Sequence, residues 1–240
     1  MTTLVVGASG ATGRLLVRQL LDRGQTVKVI VRSSARFLDA VGEHENLSVI
    51  HATVLDLSDA ELEQQVRGCD AVASCLGHTM SFKGMFGKPR RLVTDATRRL
   101  CEAIQASESE GPVKFVLMNT SGNRNRDLEE PISFAQKCVM GLIRLLVPPH
   151  SDNELAAEYL RSDVGQNNSK IQWAAVRPDG LIDEDTVTDY ELHASPTRSA
   201  IFDAGVTSRI NVAHFMADLI TDDALWSTWK GQMPVIYNAA

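Results

Sequence analysis

The chain lacks the features that would mark a secreted, membrane-borne or nucleic-acid-binding protein. It holds only four cysteines, Cys69, Cys75, Cys101 and Cys138, and none of them form a Cys-x-x-Cys pair. That usage excludes a dense disulfide scaffold, argues against zinc or another bound metal, and points to reduced thiols. No apolar run reaches the roughly 20 residues of a membrane span. The nearest approach, residues 138–147, is interrupted by Arg144. Acidic residues outnumber basic ones, 30 against 24, for a formal net charge of −6, which disfavours a broad electropositive face for nucleic acid or membrane. The amino terminus runs at once into Leu4-Val5-Val6 and lacks the charged region and long apolar run of a signal peptide, so a cytoplasmic location is expected. Aromatic residues make up only 5%, yet 44% hydrophobic and 22% charged residues suit a packed α/β domain. There is no internal repeat and no low-complexity tract.

What is present is a rhythm. Short apolar runs at 4–6, 27–31, 47–55, 71–76, 113–118, 171–176 and 235–237 read as buried strands. Segments 13–23, 59–68, 89–107 and 152–162 carry helical periodicity between them, with Gly24 and Gly68 at expected stops. Alternation of this kind predicts a doubly wound parallel sheet of Rossmann type with helices on both faces. Residues 1–240 are expected to form one domain. Two stretches break the rhythm. Within 123–149, the apolar segment 134–147 ends at Pro148-Pro149 and reads as a buried or subunit-facing helix. Residues 179–206, polar and rich in Asp, read as a small substrate-side cap before a last helix at 212–220.

The strongest motif is Gly7-Ala8-Ser9-Gly10-Ala11-Thr12-Gly13, directly after the first strand and before the first helix. A dinucleotide pyrophosphate needs backbone N–H donors at close range and the field of a helix N-terminus, and glycines permit that approach. The string resembles that of the short-chain dehydrogenase/reductase superfamily, particularly its extended and atypical branches, among them the biliverdin reductase B-like and NmrA-like proteins. The resemblance extends over essentially the whole chain.

The end of the second strand bears on the choice of dinucleotide. NAD-binding units usually place a carboxylate there for the ribose hydroxyls, whereas an arginine accommodates a 2′-phosphate. Here the strand runs into Arg32-Ser33-Ser34 with no carboxylate. Arg32 offers a permanently charged donor fork, with Ser33, Ser34 and Arg36 nearby, and the expected cofactor is NADP(H). By resemblance, Asp56 and Leu57 fall where the superfamily holds the adenine. N-capping of the helix at 59–68 would equally account for a polar residue there. Leu76 and Gly77 follow the fourth strand, where the superfamily passes along the cofactor ribose.

The catalytic apparatus is less legible. The resemblance places Ser121, in Met118-Asn119-Thr120-Ser121-Gly122, at the superfamily's serine beside the nicotinamide, and it places the backbone after Pro178, in Val176-Arg177-Pro178, near the nicotinamide amide. Arg177 reads either as part of that site or as a structural ion pair. The usual Tyr-x-x-x-Lys is missing: Tyr159 is followed by Asp163, and a carboxylate raises a phenol's pKa instead of lowering it. Tyr159 shares an apolar side with Leu155 and Leu160 and reads as core or pocket wall. Ser151-Asp152-Asn153-Glu154 looks like a capping box. In atypical members the functional Lys or His position falls here at Asn153, which donates hydrogen bonds but supplies no proton at neutral pH. His78 and His150 flank segments expected near the nicotinamide, and each reads equally as an ordinary loop histidine. The resemblance implies an NADP(H)-dependent oxidoreductase reducing a small carbonyl, quinone, flavin or related conjugated substrate. An NmrA-like dinucleotide sensor acting on a regulatory protein partner is the alternative, and a nucleotide-sugar epimerase or dehydratase a weaker one. A homodimer stays open.

Overall fold

The apolar runs assemble into one large sheet because each is too hydrophobic to leave a face in water. The computed structural model describes residues 1–79, 81, 84, 86–130 and 132–239. Its strands are β1 (Thr2–Val6), β2 (Thr26–Val31), β3 (Leu47–His51), β4 (Ala71–Ser74), β5 (Val113–Met118), β6 (Ile171–Pro178), β7 (Gly180–Ile182), β8 (Tyr190–His193), β9 (Val206–Ser208) and β10 (Val235–Asn238). Eight of them form a sheet of order β3-β2-β1-β4-β5-β6-β10-β8, parallel throughout except for β8 against β10, and β7 and β9 form a separate parallel pair. The run β3-β2-β1-β4-β5-β6 is the doubly wound Rossmann order, whose reversal between β1 and β4 opens a crevice at the strands' carboxyl ends. The expected fold class is therefore the observed one.

Alternate residues of each strand feed separate cores. Leu4, Val6, Val72, Phe115, Leu117, Trp173 and Ala175 pack on one face with α3 (Asp59–Val66), α4 (Leu92–Ala106) and α6 (Pro148–Tyr159). Val5, Ala71, Ala73, Val116, Ala174 and Val176 pack on the other with α1 (Ala11–Asp22), α2 (Ser34–Val41) and α7 (Arg209–Thr221). The period-2 pleat thus divides near-continuous hydrophobic runs between two helical layers. All four cysteines are free, and no helix among the described residues is long and apolar enough to cross a membrane.

Several expected boundaries move. β3 ends at His51 instead of residue 55, because Asp56 and Leu57 turn back to donate their N–H groups to the Thr53 carbonyl. α4 starts at Leu92, not at residue 89. α6 starts at Pro148, where proline is tolerated in a first helical turn, so Ser151–Glu154 is not a capping box. Ser151 Oγ donates instead to the Arg144 carbonyl at 2.9 Å. The reciprocal box belongs to Ser58 and Glu61, at the head of α3. α2 and α8 (Asp223–Trp229) were not expected, nor were the strands within 179–206. There β7 pairs with β9, and β8 extends the main sheet, which leaves 183–189 and 194–205 irregular. α5 (Phe134–Leu146) forms as its periodicity predicts but is not buried: Phe134, Leu142 and Leu146 are exposed.

One side chain ties these pieces together. Arg177, fully buried at the end of β6, donates from Nε to the Met233 carbonyl (2.6 Å), from Nη1 to the Asn123 carbonyl (2.8 Å) and from Nη2 to Glu130 Oε1 (2.8 Å) and the Ala194 carbonyl (3.0 Å). Glu130 accepts the Asn125 N–H on its other oxygen at 2.9 Å. The structural reading of Arg177 is the one the contacts support. Removing one partner of a buried ion pair strands the other charge. Glu130→Ala is expected to lower the unfolding free energy by about 3–5 kcal/mol in urea titrations, with Glu130→Gln losing clearly less; an Ala variant as stable as the parent would refute the clamp.

Candidate functional site

The crevice at the sheet's reversal is built from backbone. Gly7 takes φ +73°, a conformation in which other residues are strained, and a methyl group there would overlap the Cys75 carbonyl across the β1–β4 gap. A methyl group on Gly13 would overlap the Gly7 carbonyl, so helix α1 starts against the turn itself. The turn closes with Gly10 N–H donating to the Gly7 carbonyl at 2.9 Å. No side chain caps α1 at Gly10, which leaves the N–H groups of Ala11, Thr12 and Gly13 for an anion. Ser9 and Gly10 are exposed on the crevice turn. A turn with no room for a Cβ at Gly7 or Gly13 and with uncapped donors fits a pyrophosphate. Leu76 and Gly77 leave β4 beside it, and among the described residues no atom lies within 4 Å of a Cβ placed on Gly77, so no protein contact requires glycine there.

A second cleft, of about 350 Å³, opens at the ends of β2 and β3 and is lined by Arg32, His51, Ala52, Thr53, Asp56, Leu57 and Glu61. It brings Arg32 and Asp56 together. Neither side chain has a hydrogen-bond or ion-pair partner among the described residues, and the His51 ring holds the Arg32 carbonyl at 2.9 Å. Ser58, not Asp56, caps α3, so capping does not account for Asp56. Ser33 stands at the head of α2 and makes no side-chain cap there. Arg99 of α4, which sequence reasoning missed, shapes this wall: its guanidinium donates to the carbonyls of Val54, Leu55 and Leu57 and fixes the turn that carries Asp56.

A third cavity, of about 220 Å³, lies at the carboxyl end of β5. Ser121, Gly122, Arg124, Glu130, Ile132, Gln136 and Met140 form one wall and residues 196–200 the other. Ser121 is buried, its N–H donates to the Pro178 carbonyl at 2.8 Å, and its Oγ has no hydrogen-bond partner among the described residues. A buried hydroxyl without a partner costs free energy unless a ligand or water satisfies it. His150 stands beside this turn, with Cε1 3.4 Å from a Cβ built on Gly122. Its Nε2 approaches Glu154 Oε1 at 3.4 Å, an ion-pair distance too long to close a hydrogen bond. Burial alone would raise the Glu154 pKa, but His150 and a bidentate Arg144 outweigh it and hold that carboxyl at about 2.

The remaining sequence candidates lie elsewhere. The Asn153 side chain does not line this cavity; its carbonyl accepts from the amides of Asn119 and Asn123, which ties the end of β5 to α6. His78 is buried against Asp152 at 2.7 Å, and Asp152 also accepts the N–H groups of Val93 and Thr94, anchoring the start of α4. Tyr159 packs on the core with Arg98 over its ring at 5.6 Å. Burial first, then Cys101, Glu102 and Asp163, pushes its phenol up to about 12. Leu155, expected on the same apolar side, is exposed.

The profile of the NAD(P)H-binding family matches residues 7–223. A UPF0659 protein of Saccharomyces cerevisiae is 31% identical over 132 residues, 53% of this chain and 54% of that protein. The chain spans about half the length, or less, of the curated relatives it matches. A protein from Lactobacillus casei shares the fold with a TM-score of 0.73 at 18% identity, covering 100% of both chains. A short-chain dehydrogenase/reductase from Veillonella parvula, crystallised with NADP, gives 0.69 at 16% identity over 100% of this chain and 95% of that one. With its glycine cradle at the sheet reversal and its Rossmann strand order, the chain belongs to the NAD(P)H-binding family.

Proposed function

We propose that the protein is an NADP(H)-dependent reductase of a small carbonyl, quinone, flavin or related conjugated acceptor. The observation that carries this reading is the buried, unpartnered Ser121 hydroxyl on a cavity at the end of β5. In this reading Gly7, Ser9, Gly10, Ala11, Thr12 and Gly13 hold the pyrophosphate. Arg32 and Ser33, at the head of α2, take the 2′-phosphate, and Asp56 and Leu57 line the adenine. Leu76, Gly77 and Pro178 flank the ribose and nicotinamide. Bound NADPH supplies a hydride to the electrophilic atom of the acceptor, a carbon in a carbonyl compound or the N5 nitrogen in a flavin. The oxygen or nitrogen that gains charge then accepts a hydrogen bond from Ser121 Oγ–H, and a proton from water completes the reduction. Residues 196–200 line the cavity from the other side. The NADP-bound relative from Veillonella parvula supports the cofactor.

A dinucleotide sensor is the second reading, favoured by the placement of Tyr159 in the core. Steady NADPH oxidation with any of a panel of quinones, flavins and aldehydes decides for the reductase; tight NADPH binding with no turnover decides for the sensor.

Two variants test the residue roles. A charge-assisted phosphate contact contributes about 1.5–3 kcal/mol, so Arg32→Ala should weaken NADPH binding by roughly 10- to 100-fold in calorimetric titration and hardly affect NADH. Equal affinity of the parent for both dinucleotides, with no effect of the substitution, would sink the NADP(H) assignment. Ser121→Ala should lower kcat by roughly 10²-fold at unchanged NADPH affinity; undiminished turnover would remove Ser121 from the reaction.

A further inference from the structure

Charge is distributed unevenly around the Ser121 cavity. Glu130, its only lining carboxylate, is engaged by Arg177 and the Asn125 N–H. Arg198 is paired with Asp203. Arg124 lines the cavity with no hydrogen-bond or ion-pair partner among the described residues. It also lines an adjoining cleft of about 260 Å³ together with Arg126, Arg144, Arg161, Glu154 and Glu158. In that cleft the other three arginines are neutralised: Arg126 by Glu158, Arg144 by Glu154, Arg161 by Glu158 and Asp127. Arg124 is thus the one uncompensated charge shared by the two hollows. It stands out in a chain whose formal net charge is −6.

Ile132 and Met140 give the Ser121 cavity an apolar wall, and Gln136 adds an amide. At about 220 Å³ it is smaller than the roughly 300–1,000 Å³ of most ligand pockets. A ligand larger than this cavity extends toward the adjoining cleft, and Arg124 lines both hollows. A guanidinium presents two parallel donors that match a carboxylate.

Building on the reductase reading, we infer that the acceptor is a conjugated ring system bearing a carboxylate, and that Arg124 is the specificity-determining residue that binds it. The test is equilibrium binding to the NADP⁺-saturated protein, which requires no turnover. The probes are 2-naphthoate and its neutral counterpart 2-naphthamide, titrated into the parent, Arg124→Lys and Arg124→Gln proteins, with thermal unfolding confirming that each variant is folded. Naphthoate should bind the parent at least about 10-fold more tightly than naphthamide, which is about 1.4 kcal/mol. That preference should shrink in Arg124→Lys and vanish in Arg124→Gln. Equal binding of the two probes to the parent, binding of neither, or a preference that survives Arg124→Gln overturns the inference. If the preference holds while NADPH oxidation is absent across the acceptor panel, the reductase reading fails and the anion site stands.

Discussion

The walls of the Ser121 cavity depend on a guanidinium that never meets water. Arg177 ends β6 and hydrogen-bonds to residues 123 and 130 on one side, 194 on another, and 233 before β10. A planar cation with five donors can join irregular segments that share no secondary structure, because it needs only their carbonyls and one carboxylate. The desolvation cost of that charge is offset only while all its partners stay in place. The segment after β5 and the segment over it are therefore fixed relative to each other, although neither is a helix or a strand where they meet.

The two halves of the site are built by different means. The dinucleotide crevice is a backbone structure: Gly7 against the Cys75 carbonyl, Gly13 against the Gly7 carbonyl, and an uncapped α1. Its recognition elements are N–H groups and a helix dipole, which vary little with the side chains around them. The Ser121 cavity is a side-chain structure, lined by Ser121, Arg124, Ile132 and Met140 with residues 196–200. The end of β5 joins them, since Ser121 takes its place through the Pro178 carbonyl and Asn119 bonds to the Asn153 carbonyl. The first half carries the features by which the family is recognised, and the second is free to vary with its side chains.

That division explains what could be read from the residues alone. Buried parallel strands and glycine-dependent turns leave periodic or compositional traces, so the parallel sheet, the α1 turn and the end of β2 at Arg32 were legible. The clamp was legible only in part: the Arg177 ion pair was one of two readings, but its partner Glu130 lies 47 positions away in an unpatterned loop. Arg99 beneath the Asp56 turn left no signal either, because a helix-surface arginine looks the same whether it meets water or three carbonyls. The misplaced capping box has a local cause. Ser151 and Glu154 have the right spacing, but Pro148-Pro149 starts the helix a turn earlier, and tertiary contacts with Arg144 engage both side chains.

The position of Tyr159 constrains any reduction at this site. Its ring is held in the packing of α6 on the core, and its pKa of about 12 keeps it protonated at neutral pH. A phenol held there neither reaches the Ser121 cavity nor gives up its proton readily, so the relay that a tyrosine–lysine pair provides has no counterpart on α6. Glu154, held at about 2, stays ionised and engages Arg144 and His150 beside the Gly122 turn. A reduction carried out at Ser121 would therefore rely on hydrogen bonding to the developing charge more than on a strong protein acid. This favours acceptors such as quinones and flavins, whose reduced forms are stable anions, over simple ketones, whose alkoxides demand a proton at once.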